Sequence, residues 1–95
     1  MVMNKISKKE FLRRIHEIRS AISVTGKRYS NIYVNKEEKI CTGIREESGE
    51  PFKIQLDKLF EAYQNLDVIN TATLKEYVDR VQSPSFAILK EAGLA

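Results

Sequence analysis

Along the chain the apolar positions repeat first at helical spacing, then at every second residue, then at helical spacing again. In the opening third, Phe11, Leu12, Ile15, Ile18 and Ile22 define one stripe of an amphipathic helix. Ser7, with Glu10 three residues on, reads as a capping box, and Ile6 with Phe11 as a hydrophobic staple across it. The spacing predicts a helix from about Lys8 to Ala21 or Ile22, broken at Ser23-Val24-Thr25-Gly26.

The middle third switches to period two. YSNIYVN, KICTGIR and PFKIQL alternate β-branched or aromatic residues with polar ones, which predicts strands near 29–35, 39–45 and 52–56. The polar runs between them are short enough to force antiparallel neighbours, a three-stranded meander. An odd first loop places Ile32, Val34, Ile40, Thr42, Ile44, Phe52, Ile54 and Leu56 on one face. Asn31, Tyr33, Cys41, Arg45, Lys53 and Gln55 then point away from it. An even loop brings Tyr29 and Tyr33 onto the face of Ile40 and Ile44 instead. The first register buries more aliphatic surface and is the one expected.

Helical spacing returns in the last forty residues. Asp57 is placed to cap a helix whose Leu59, Phe60 and Tyr63 face inward, and Thr73 with Glu76 forms a second capping box before Leu74, Tyr77, Val78 and Val81. Ser83-Pro84 opens a third helix with proline at its first position, carrying Phe86, Ile88 and Leu89. Gly93 ends it in a left-handed cap, with Leu94 packing back on Leu89. The order is α-βββ-ααα: one α+β domain over residues 1–95, two layers deep.

Charge changes this picture more than composition does. The chain has 95 residues, 42% of them hydrophobic and 31% charged, which suits one globular domain. Its net +3 conceals a split: residues 1–28 hold eight bases against two acids, and residues 29–95 hold eight against eleven. Within the first helix Glu10–Arg14 and Arg13–Glu17 stand four apart and neutralise each other. Lys5, Lys8, Lys9, Arg19, Lys27 and Arg28 have no acidic neighbour at that spacing. A basic end of this kind points to an anionic partner; the competing reading is a solvated helix face.

Candidate chemistry is sparse. One histidine and one cysteine cannot close a zinc site, and no glycine-rich phosphate loop is present. His16 reads as a boundary residue of the helix and Cys41 as a small strand residue. Glu46, Glu47 and Glu50 keep a hairpin tip hydrated. No catalytic constellation, cofactor site or small-molecule substrate follows, so an enzyme is not expected. The chain also lacks an apolar run long enough to span a bilayer or to serve as a secretory signal, and a cytoplasmic, membrane-free setting is expected. The expected function is nucleic-acid association, DNA foremost, through Lys5, Lys8, Lys9, Arg19, Lys27 and Arg28, with Tyr33, Arg45 and Lys53 on the sheet face. The alternative is a module that offers an edge strand or helix face to a partner protein.

Overall fold

Ser7 opens the first helix: its side chain accepts the Glu10 N–H as an N-cap, but the reciprocal half of the expected capping box is absent among the described residues, because the Glu10 carboxylate accepts from Arg13 and Arg14 instead. The computed structural model describes residues 5–23 and 25–95, so Val24, part of the expected break, lies outside the described residues. Helix α1 spans Lys8–His16, and Phe11 and Ile15 are its fully buried residues. It stops five or six residues short of the expected end. The hairpin turn at Gly26, left-handed at φ 87°, draws Ala21 and Ile22 into a two-residue strand, β1 (Ala21–Ile22), paired with Tyr29 and Arg28. Ala21 is buried in the core, while Ile22 is 56% exposed.

The sheet therefore has four antiparallel strands in the order β1-β2-β3-β4, where the sequence predicted three. Strands β2 (Arg28–Asn35), β3 (Ile40–Arg45) and β4 (Pro51–Gln55) lie within a residue or so of their predicted bounds. The register is not the expected one. Asn35 pairs with Ile40 across a four-residue loop, because the Asn35 side chain accepts the N–H groups of Glu37 and Glu38 at 3.0 and 3.1 Å and closes the turn. The even loop puts Cys41 and Gly43 inward and leaves Ile40, Thr42 and Ile44 on the other face with Tyr33. Tyr29 does not join them. The register shifts between Ser30 and Tyr33, where Asn31 takes φ 53°, and this bulge turns Tyr29 inward beside Ile32 and Val34.

One face of the sheet supports the core. Val34, Cys41 and Ile54 form a buried cross-strand row, and the Phe52 ring lies over Gly43 so closely that a β-carbon there would sit 2.5 Å from it. Tyr29 meets Phe52 edge-on at 5.7 Å. Helix α2 (Leu56–Asn65) brings Leu59, Phe60 and Tyr63 to the same core, and Phe11 packs against Phe60 and Tyr63 at 5.0 and 5.3 Å. Each such buried side chain contributes about 1.5–3 kcal/mol. Asp57 does not cap α2; it lies inside the first turn, where its carboxylate pairs with Lys8.

The C-terminal part differs from its reading at one helix and agrees at the final cap. Asn70, not Thr73, caps α3 (Thr71–Leu74), and Thr73 returns the bond to the Asn70 N–H. One helical turn is all that forms; the chain continues through turns and a bend to Arg80, which is left-handed at φ 71°. Helix α4 (Gln82–Glu91) starts two residues before Pro84, and Val81 at its N-cap supplies no side-chain bond. At its far end Gly93 has φ 76°, its N–H donates to Lys90 O, and Leu94 N–H donates to Leu89 O at 2.8 Å. That is the expected Schellman cap.

Candidate nucleic-acid interface

The basic helix proves largely engaged. Lys5 donates to the carbonyls of Tyr63 and Leu66, with its ammonium 4.6 Å from the Tyr63 ring. Lys8 pairs with Asp57, holding that carboxyl below its ordinary range. Arg13 bridges Glu10 and Glu17, and Arg14 also reaches Glu10. Hydrogen bonds from Arg13 and then Arg14 bring the Glu10 carboxyl down to about 2. Lys9 and Arg19 keep their charges free of ion pairs among the described residues. Lys9 lines a shallow depression of about 320 Å³ with Leu12, Arg13, His16 and Lys36.

The sheet's second face is open. All the helices share the core of the first face, so the rows Ser30–Ile44–Pro51, Tyr33–Thr42–Lys53 and Asn35–Ile40–Gln55 face outward. Tyr33 is 59% exposed in the middle of this surface, with Lys53 two strands away. Arg28 and Ile22 extend it at one edge. Among the described residues, no strand contains an aspartate or glutamate. Two expected members are absent from it. Cys41 is fully buried on the covered face, and that burial pushes its thiol up to about 12. Arg45 sits on the covered face opposite Tyr29, because the even loop reversed the parity of β3.

Arg45 instead joins Lys27 and Arg28 at a cavity of about 400 Å³ where the start of β2, the β3–β4 turn and the beginning of α4 meet. It is held there by donating to Pro51 O at 3.2 Å and Arg80 O at 3.0 Å, with its guanidinium 5.9 Å from the Phe52 ring. Arg80 is the fourth cation of this wall, and sequence reasoning missed it; a lone arginine after Asp79 carried no signal. Glu47 is the one acid in the lining. None of the four bases lies in an ion pair among the described residues. Metal binding finds no counterpart arrangement: no group of three or more His, Cys, Asp or Glu side chains is gathered among the described residues. No described helix is long and apolar enough to cross a membrane.

No family model matches the chain. Neither the curated proteins nor the solved structures contain a match to it. Any functional reading must come from the surfaces themselves.

Proposed function

We propose that this chain is a small, non-enzymatic, cytoplasmic nucleic-acid-associated domain that holds a single strand against the open face of its sheet. The observation that carries the reading is the carboxylate-free face with Tyr33 at its centre, 59% exposed, and Arg28 and Lys53 around it. An exposed aromatic ring on a flat sheet stacks a base, lysine and arginine track the backbone, and Gln55 and Thr42 offer hydrogen bonds to base edges. Duplex insertion fits less well. Four strands at ~4.8 Å spacing span about 14 Å, wider than the ~12 Å major groove that admits a two-stranded ribbon.

Fluorescence titration with single-stranded and duplex DNA and RNA at low salt tests this. Single strands should bind more tightly than duplexes, and Tyr33→Ala should weaken them about tenfold, in line with ~1–3 kcal/mol per stacked base. Affinity unchanged by Tyr33→Ala, or no binding to any strand, would reject it. The second reading is a partner protein on the same face, favoured by Ile22 at 56% exposure and by Ile40 and Ile44, which are only partly covered. It becomes the first choice if oligonucleotides fail.

A further inference from the structure

We propose that the cavity at the start of α4 receives a terminal phosphate monoester of the bound strand. The inference takes from the reading above only what carries the phosphate; the cavity stands on its own geometry. Lys27, Arg28, Arg45 and Arg80 converge on it from three separate parts of the chain, against Glu47 alone. The lining therefore carries a net charge of +3, far more than one phosphodiester would neutralise and well suited to a monoester of about −2 at neutral pH.

The arrangement is built in advance. Arg45 is fixed by two backbone carbonyls, which leaves other N–H groups of its fork free to donate. Its bond to Arg80 O couples it to a residue held at φ 71°, a conformation an arginine adopts only under constraint from its surroundings. Gln82 and Ser83, the first two residues of α4, line the same cavity. Their backbone N–H groups belong to the helical turn that has no intrahelical acceptor, and no side chain caps it. Gln82 lines the cavity, and its buried amide oxygen has no hydrogen-bond partner among the described residues. Cations and helix start thus act on one volume. At about 400 Å³ it is at the small end of ligand pockets, of a size for one phosphorylated nucleotide end.

The experiment measures binding of inorganic phosphate, and of one short DNA strand carrying a 5′-phosphate, a 3′-phosphate or neither, from pH 5 to pH 8. Expected is about a tenfold preference for a phosphorylated end at pH 7.5. The preference should fade toward pH 5 as the monoester gains a proton near its second pKa of ~6. That titration is the ligand's, since Tyr29 in the cavity wall is pushed above its ordinary value by burial and stays neutral throughout. Arg80→Asn, which suits the left-handed backbone and keeps the fold, should reduce the preference to about one, as should Lys27→Gln. Equal affinity for phosphorylated and unphosphorylated ends overturns the proposal, and so does a preference that survives both substitutions together. Phosphate binding that is lost in Arg80→Asn, with no strand binding at all, upholds the cavity and rejects the single-strand reading. Strand binding with no end preference does the reverse.

Discussion

Two regions of this molecule are rich in positive charge, and they are not equivalent. Around α1 the bases are dense in sequence but engaged: Lys5 by carbonyls, Lys8 by Asp57, Arg13 and Arg14 by Glu10 and Glu17. At the start of α4 the bases are scattered at positions 27, 28, 45 and 80, yet they meet at one cavity with no ion pair among the described residues. Charge density along a chain thus says little about available charge. What matters is whether a carboxylate or carbonyl already occupies each cation, and that is a property of the fold.

The sharpest way to break this contrast through stability is Lys5→Met. If Lys5 is a structural strut between the N-terminus of the described chain and α2, its loss should cost about 1–2 kcal/mol, from charge-assisted hydrogen bonds and a cation–π contact in a half-buried setting. Strand affinity should barely change. A variant with wild-type melting temperature and weakened binding would return Lys5 to the interface.

A smaller effect is expected at Glu10. Its carboxyl sits near 2 in the fold against an ordinary 4.5, so the folded state binds fewer protons than the unfolded chain between these values. The pairing thus favours folding above pH 4.5, and that contribution disappears as pH falls toward 2. Glu10→Gln should lower the melting temperature slightly at pH 7 and lose less than wild type on acidification, the two curves converging near pH 2. The same substitution frees Arg14 and leaves Arg13 to Glu17 alone, and strand affinity at low salt should rise a little. A fall in affinity would mean that Glu10 itself organises the binding surface.

Local chemistry was legible in the sequence, and long-range closure was not. The Ser7 cap and the Gly93–Leu94 Schellman motif depend on residues a few positions apart, and both appear as expected. Strands β2 to β4 were readable from period two. The end of α1 was not, because Ala21 and Ile22 become a strand only through pairing with Arg28 and Tyr29. Register failed on one side chain: Asn35 closes an even loop, which sends Cys41 into the core and Arg45 to the cavity. Of the expected contact residues, Tyr33, Lys53, Lys27, Arg28 and Arg45 lie on the two surfaces proposed to bind, Arg45 at the cavity and not on the sheet face where it was expected. Lys5 and Lys8 looked free only because their partners on α2 are remote in sequence. Arg80 had no local signal at all.

The contrast between engaged and available charge is tested most directly by the salt dependence of single-strand binding in two variants. One carries Lys27→Gln, Arg28→Gln and Arg80→Gln; the other carries Lys8→Gln, Arg13→Gln and Arg14→Gln. Each phosphate contact on a single strand adds roughly 0.7 to the slope of log K against log salt concentration. The first variant should lose about two units of slope relative to wild type, and the second should keep the wild-type slope. A preserved slope in the first variant with a flattened slope in the second would contradict the account and place the interface on α1.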